Sequence, residues 1–325
     1  MGLYDAVRAL PLEVDDYTLE RAELQVSSEF TRVTTTVVLR GPGLEGRGED
    51  ITYVAEEHDD YPSSLPLAGS WAIDSYSAGL EPHGFSDYRR WAFESAGLDL
   101  ALRQAGRSLA DALGLDAQPV RFVVSTRGDA FAWQGLYPEL EFKLDPEPKW
   151  EREFMERLAA TGRVRVLDLK AYYRGTPVDV DPDPGLYRTV VELFPDAVIE
   201  DAALEGACRD ALRGAEDRLS FDAPVHSLAD LRALPLEPRW LNVKPSRFGT
   251  LAGLFETIDF ARDRGIRMYG GGQFELGVGR LQIQKLASIL YPDGPNDTAP
   301  GAYNEGPARP GLPQSPLPPV EDAGF

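Results

Sequence analysis

The fold is decided by four short segments, which are Val166-Leu-Asp-Leu-Lys170, Ala197-Val-Ile-Glu-Asp-Ala202, Leu219-Ser-Phe-Asp-Ala-Pro224 and Leu241-Asn-Val-Lys-Pro245. Each segment is an apolar run that ends at a charged residue. The charged positions 168, 200, 222 and 244 are separated by 32, 22 and 22 residues. Because this spacing is about the length of one strand-helix unit, the pattern predicts a parallel (β/α) repeat with a charge at the end of each strand.

The three acidic positions in this series are Asp168, Glu200 and Asp222, and the fourth position is Lys244. In a parallel barrel the C-terminal ends of the strands surround one mouth, so these four side chains are expected to converge there. A single strand-end carboxylate is more often a helix cap, but three in succession favour a cation between them. An all-oxygen ligand set is typical of a hard cation, and we predict one Mg²⁺ at the mouth.

The N-terminal region has strands before helices. Alternating and β-branched residues predict strands at Tyr17–Val26, Thr31–Arg40 and Glu45–Val54. Helical periodicity follows in Tyr88–Ala105 and Ser108–Leu113. This order predicts an antiparallel meander followed by helices, which together make an α+β capping domain over residues 1–115.

The rest of the chain alternates between strands and helices. Seven clear strands begin at Arg121, and a short eighth strand is expected near Tyr291–Pro300. We therefore predict an α/β fold, a (β/α)-barrel or modified TIM barrel, over residues 116–305. Residues 306–325 are rich in proline and have no periodicity, so an extended or disordered tail is expected.

The composition limits the partners and the compartment. A net charge of −20 argues against binding nucleic acid or an anionic membrane through a general electrostatic field. A small anionic substrate stays open, because a local metal ion can invert that field. The single cysteine, Cys208, allows no internal disulfide, and the N-terminal residues lack a signal-peptide pattern. We expect a cytoplasmic protein that does not enter a membrane.

Four parts of the sequence resemble the enolase superfamily, and within it the mandelate racemase and muconate lactonizing enzyme family. These parts are the meander Arg32–Arg40 with Gly43–Glu49, the helices Phe93–Ala101 and Leu109–Gly114, the series Asp168, Glu200, Asp222 and Lys244, and the loop Gly271–Arg280 with Leu286–Ser288. The last part is similar to the loop and helix of succinylbenzoate synthases and acylamino-acid racemases. The ordered acidic series followed by lysine is the most specific of the four.

The resemblance implies a Mg²⁺ ion held by Asp168, Glu200 and Asp222, which binds the carboxylate of a small substrate. It implies that Lys244 acts as the acid or base at the carbon next to that carboxylate, where an enediolate forms. Such a proton is very weakly acidic, so the developing negative charge needs a divalent cation. Gln273 and Glu275 are expected to contact the substrate. The alternative for Glu275 is a cap on the turn that leads from the loop into the helix.

The sequence departs from the family pattern at strands two and three. The family usually has Lys-x-Lys at the end of strand two, whereas this chain has Lys143-Leu-Asp145, and the usual Asp-x-Asn of strand three is Asp168-Leu-Lys170. Strand alternation predicts that the side chains of Lys143, Asp145 and Lys170 face the barrel interior. Our hypothesis is that Lys170 supplies the amine lost at position 145. Lys143 is the other candidate for that catalytic role, and Asp145 would pair with Lys170 or Lys143 and keep it protonated. The alternative is that Lys143 and Lys170 only neutralise Asp145.

These inferences indicate an isomerase or lyase that acts as a racemase or epimerase, a cycloisomerase or a syn-dehydratase. Dehydration of an acid sugar stays open. A rival hypothesis is a metal-binding barrel that has lost turnover and serves as a binding or structural protein. A homo-oligomer is compatible with each of these functions, and the sequence does not define the substrate.

Overall fold

The N-terminal domain contains the predicted antiparallel meander. A computed structural model describes residues 2–28, 30–62, 64–176 and 178–325 of the chain. Its first five strands are β1 (Pro11–Val14), β2 (Asp16–Gln25), β3 (Thr31–Gly41), β4 (Leu44–Asp50) and β5 (Gly69–Ala72). Strands β2, β3 and β4 pair in that order, and β1 pairs with β5. The helices that follow are α1 (Ile73–Leu80), α2 (Asp87–Gln104) and α3 (Leu109–Leu113).

Helix α2 lies on β4, and glycines on the strand allow the close approach. A Cβ atom at Gly48 would lie only 2.7 Å from the backbone nitrogen of Ala96. The helix begins at Ser86, whose hydroxyl accepts a hydrogen bond from the backbone N–H of Arg89. Its middle, from Trp91 to Leu102, is buried between the meander and the barrel. Helix α2 therefore joins the capping domain to the rest of the molecule.

In the part of the barrel that the structure describes there are seven parallel strands, as predicted. They are β6 (Val124–Ser125), β7 (Phe142–Leu144), β8 (Val164–Asp168), β9 (Val198–Glu200), β10 (Leu219–Phe221), β11 (Trp240–Val243) and β12 (Arg267–Gly270). They form one sheet whose strand order follows the chain. The helices between and after them are α4 (Ala130–Leu136), α5 (Arg152–Ala160), α6 (Pro184–Leu193), α7 (Gly206–Ala211), α8 (Leu228–Ala233), α9 (Leu251–Asp263) and α10 (Gly279–Leu290).

The barrel closes through two residues at the expected eighth position. Asn296 forms a parallel bridge with Phe122, and Asp297 forms one with Gly271. The Asn296 side chain reinforces this closure, because its Oδ1 accepts from the N–H of Gly270 at 2.6 Å and its Nδ2 donates to the carbonyl of Arg121 at 2.9 Å. The eighth strand is therefore reduced to isolated bridges supported by one buried amide.

The C-terminal tail is extended and runs along both domains. Leu317 forms an antiparallel bridge with Val120 at the start of the barrel. Asp322 forms an ion pair of 2.8 Å with Lys285 on α10. The ring of Phe325 is buried, 1% exposed, and its N–H donates to a carboxylate on α2. These contacts make the tail part of the packed structure. We propose residues 1–115, 116–305 and 306–325 as the three parts of the chain.

Two features of the fold carry no clear signal in the sequence. The pairing of β1 with β5 joins strands that are far apart along the chain and only four residues long. Helix α4 lies in the connection between β6 and β7, where no helix is predicted. In the part of the chain that the structure describes, no helix has both the length and the apolar character needed to cross a membrane.

Candidate active site

Three carboxylates meet at the mouth of the barrel. Asp168 ends β8, Glu200 ends β9, and Asp222 directly follows β10. One oxygen from each lies within 4.8 Å of the others, and all three side chains are buried. The parallel register sets Asp168 directly beside Glu200. The structure therefore brings the three acidic positions of the series together, and their oxygens could hold one metal ion.

Glu200 lies at the centre of the group and accepts four hydrogen bonds from three side chains. The Nζ of Lys143 donates to its Oε1 at 2.5 Å, the amide of Asn242 donates to both oxygens at 3.2 Å, and the hydroxyl of Tyr269 donates to its Oε2. Burial raises the pKa of the Glu200 carboxyl to about 8, although the Lys143 charge acts against that rise.

Asp168 is held by the lysine that replaces the usual asparagine. Lys170 has a φ of 55°, in the left-handed region, so its side chain turns back and its Nζ donates to Asp168. The backbone N–H of Lys170 donates to the other oxygen at 3.1 Å. Burial acts to raise the pKa of Asp168, but the charges of Lys170 and Lys143 outweigh it and lower that pKa to about 2.

Asp145 lies at the outer edge of the group. Its Oδ1 is 3.6 Å from the Nζ of Lys170, and its Oδ2 accepts two hydrogen bonds from Arg127, at 3.1 and 3.0 Å. Lys143, on the same strand, points instead towards Asp168 and Glu200, at 3.5 and 2.5 Å. Asp145 therefore pairs with Lys170 and Arg127, while Lys143 forms ion pairs with the two carboxylates deeper in the barrel.

Lys244 contacts the third carboxylate. Its Nζ lies 2.7 Å from Oδ2 of Asp222, and Arg247, in the turn after the same strand, lies 2.8 Å from Oδ1. The hydroxyl of Tyr173 donates to Asp222 at 2.9 Å and accepts from Arg247 at 3.1 Å. Burial opposes the effect, but Arg247 and Lys244 hold the pKa of Asp222 well below its usual range.

The glycine-rich loop packs directly on Lys244. A Cβ atom at Gly271 would lie 2.7 Å from the Cε atom of Lys244, so only glycine allows this approach. The side-chain amide of Gln273 lies 3.3 Å from the hydroxyl of Ser246, in the turn that follows Lys244. Glu275 pairs with Arg280 at 2.9 Å and accepts from the N–H of Gln273 at 2.6 Å. These contacts support the alternative for Glu275, in which it orders the turn between the loop and the helix rather than contacting the substrate.

The loop is fastened to the capping domain by two buried side chains that the sequence did not single out. Glu49 on β4 accepts hydrogen bonds from the N–H groups of Leu276, Gly277 and Gly279 at 2.8 to 2.9 Å. The last of these belongs to the first residue of α10, where a negative charge is stabilising. The guanidinium of Arg32 donates to carbonyl groups of this loop and of the capping domain.

Several further site residues were missed for different reasons. Asn242 and Tyr269 lie on predicted strands, and alternation could have placed Asn242 on the same side as Lys244. Arg247 lies in a short turn whose direction has no sequence signal. Asp297, 3.9 Å from the Nζ of Lys143, was missed because the eighth strand has no periodic pattern.

The fold is a capped (β/α)-barrel, the architecture that the resemblance implied. The chain belongs to the DUF8230 family. The N-terminal domain of that family matches residues 5–112 and its C-terminal domain matches residues 116–305, and both are described as domains of unknown function. No curated protein is significantly similar in sequence to this chain.

Several solved structures share the fold. A dipeptide epimerase from Methylococcus capsulatus, in complex with Mg and the dipeptide L-Arg-D-Lys, has a TM-score of 0.73 at 20% identity, over 96% of this chain and 99% of that chain. A muconate cycloisomerase from Pseudomonas fluorescens has a TM-score of 0.71 at 16% identity, over 97% and 95%. A member of the enolase superfamily from Listeria innocua has a TM-score of 0.68 at 18% identity, over 90% and 86%.

Proposed function

We propose that this chain is a divalent-metal-dependent enzyme that removes the proton next to the carboxylate of a small substrate. The observation that carries the proposal is the triad Asp168, Glu200 and Asp222, whose oxygens lie within 4.8 Å of one another beside the Nζ of Lys244. The fold that this chain shares with muconate cycloisomerases and a dipeptide epimerase supports it.

The oxygen donors of the triad fit one divalent cation. The buried and nearly buried carboxylates around it are Asp145, Asp168, Glu200, Asp201, Asp222 and Asp297, and the basic groups beside them are Lys143, Lys170, Lys244, Arg247 and, at the outer edge, Arg127. Acidic groups therefore outnumber basic groups in this part of the barrel. Asp168, Glu200 and Asp222 would hold the ion, and their oxygen donors suit Mg²⁺. When bound, Mg²⁺ would offset the second negative charge that develops on the substrate as its proton leaves.

Lys244 is the residue we propose to move that proton. It stands at the end of β11, 8% exposed, with its stem packed against Gly271 and its amine against Asp222. These contacts leave its amine little freedom, and a fixed amine at the rim of the triad suits proton transfer at one carbon of a bound substrate. As a base it must give up its own proton before it acts, and it returns a proton when it acts as an acid.

Lys170 is our candidate for the second acid or base. It follows β8, three strands away from Lys244 around the barrel, so the two amines approach the mouth from different sides. Asp145 lies 3.6 Å from the Lys170 Nζ. Burial lowers the pKa of Lys170, but the charges of Asp168 and Asp145 outweigh it and raise that pKa. Lys170 is therefore held in its protonated form, and Asp145 serves to keep it charged.

Lys143 has a different proposed role. Because its amine contacts two of the triad carboxylates, it would hold them in place and offset their charge rather than reach the reacting carbon. We further propose that Gln273, beside the Lys244 turn, contacts the substrate. For Glu275 the pairing with Arg280 supports loop ordering, with substrate contact through the same loop as the remaining proposal.

The reaction catalysed is one of a small set. Racemisation or epimerisation needs both Lys244 and Lys170, whereas cycloisomerisation or syn-dehydration, including that of an acid sugar, needs only one acid-base group. A second candidate is a metal-binding barrel without turnover. The observation that favours it is that the amines of Lys143 and Lys170 already contact triad carboxylates.

An exchange experiment in heavy water distinguishes the proposed enzyme from the metal-binding barrel without turnover. The protein would be incubated in D₂O with Mg²⁺ and a panel of N-acylamino acids, dipeptides, acid sugars and succinylbenzoate precursors, and mass spectrometry would follow deuterium incorporation and loss of water. Metal-dependent incorporation that stops with a chelator supports the enzyme and identifies the substrate class. Calorimetric Mg²⁺ binding without exchange on any panel member would favour the barrel without turnover.

A further inference from the structure

A groove lies at the other end of the barrel from the carboxylates. It has a volume of about 410 Å³ and lies between the end of α8, the connection to β11 and the end of α9. Pro238 in its wall shortly precedes β11, and Ile266 immediately precedes β12. The groove is therefore at the N-terminal ends of these strands, whereas Lys244 and the glycine-rich loop follow their C-terminal ends.

The walls of the groove are both apolar and polar. The apolar side chains are Leu231, Leu234, Leu236, Pro238, Phe260 and Ile266, and the polar ones are Arg232, Glu237 and Arg264. Leu231 and Ile266 belong to the buried core, while Leu234, Leu236 and Phe260 are only partly covered. A concave site of this volume is in the range of small-molecule sites in proteins.

Two arginines lie over the aromatic ring in this groove. The guanidinium carbons of Arg232 and Arg264 are 5.0 and 5.2 Å from the centre of the Phe260 ring. Arg264 pairs with Glu237 at 3.0 Å. Among the residues that the structure describes, the Arg232 guanidinium has neither an ion-pair nor a hydrogen-bond partner. In a chain of net charge −20, the Arg232 guanidinium is therefore a basic group without an acidic partner at the edge of the groove.

We propose that the groove binds a small carboxylic acid with a flat aromatic body. The carboxylate would pair with the planar guanidinium of Arg232, whose fork of donors matches it. The ring would lie against Phe260 and the partly covered leucines, which would remove their apolar surface from water. This site is separate from the carboxylate cluster, and the proposal does not depend on the proposed catalytic function.

The test is calorimetric titration of the full chain, with Mg²⁺ present, using phenylacetate as the probe. Phenylacetamide, which has the same shape without the charge, should bind about tenfold more weakly. Arg232→Gln should weaken phenylacetate binding by about tenfold, and Leu234→Trp, which fills the groove, should abolish it. The matched control is Arg213→Gln, which removes an exposed arginine from elsewhere on the barrel and should leave binding unchanged.

Three results would overturn the proposal. One is the absence of binding at millimolar phenylacetate, and another is equal binding to the wild type, Arg232→Gln and Leu234→Trp. The third is phenylacetate binding that is lost in Lys244→Met but kept in Leu234→Trp. That result would place the bound acid at the mouth of the barrel instead of in the groove. Because Arg232 is exposed, its substitution keeps the test decisive even if Leu234→Trp fails to fold.

Discussion

The Nζ atom of Lys143 lies 2.5 Å from the Oε1 atom of Glu200, and both side chains are sealed from solvent inside the barrel. Removing the Lys143 amine would leave the buried, ionised Asp168 carboxylate with one cation fewer and Glu200 with one hydrogen-bond donor fewer, which is strongly destabilising. We predict that Lys143→Met lowers the free energy of unfolding of the metal-free protein by about 3 kcal/mol. Urea denaturation measures this change.

The control for that variant is Lys149→Met. Lys149 lies in the connection that follows the same strand, β7, but its side chain is 77% exposed, and exposed ion pairs contribute little. Its substitution should leave the urea midpoint almost unchanged. Equal midpoints for Lys143→Met and Lys149→Met would mean that the Lys143 pair does not stabilise the barrel.

The affinity for Mg²⁺ should depend on pH through Glu200. Its pKa is raised from an ordinary value of 4.5 to about 8, chiefly by burial, so the metal-free fold favours the protonated acid. The contribution of Glu200 to stability is therefore present below pH 4.5 and lost as the pH rises towards 8. Metal binding requires the ionised form, so Mg²⁺ affinity should increase up to about pH 8 and then level off.

Calorimetry in two buffers of different ionisation enthalpy checks this prediction, because a proton should be released on binding at pH 7 and hardly any at pH 9. An affinity that stays constant between these pH values, with no proton release, would show that Glu200 is already ionised in the metal-free protein.

Lys170→Asn should strengthen Mg²⁺ binding while it weakens catalysis. The Lys170 Nζ donates to Asp168, so it competes with a metal for that carboxylate. Asparagine tolerates the left-handed conformation of this position, where Lys170 has a φ of 55°, and so the fold should be kept. We expect about tenfold tighter Mg²⁺ binding by calorimetry, together with slower deuterium exchange. Unchanged affinity and exchange would remove Lys170 from both proposed roles.

The capping domain should depend on Glu49 for its attachment. The Glu49 carboxylate accepts three N–H groups at the start of α10, and Gln would place a donor against the N–H of Gly279. Glu49→Gln should lower stability by about 2 kcal/mol in urea denaturation. Glu45→Gln, on the same strand but at the surface, is the control and should have little effect. Similar midpoints for the two variants would contradict this assignment.

The barrel and the meeting of the acids were predictable because each depends on a local pattern. Asp168, Glu200 and Asp222 each end an apolar run, and parallel strands carry such ends to one mouth. The closure at Asn296 and Asp297 was barely predictable, since it consists of two bridges without strand periodicity. The contacts of Arg247 and the backward turn of Lys170 depend on backbone angles in loops, and no spacing in the sequence encodes those angles.

The central claim is that Lys244 moves the proton next to a substrate carboxylate. The measurement that tests it most directly is deuterium exchange at that carbon in D₂O with saturating Mg²⁺, comparing the wild type with Lys244→Met and with the exposed control Lys149→Met. The account predicts exchange that persists in Lys149→Met and falls by at least about a hundredfold in Lys244→Met, while Mg²⁺ binding measured by calorimetry is retained. Exchange at the wild-type rate in Lys244→Met would contradict it.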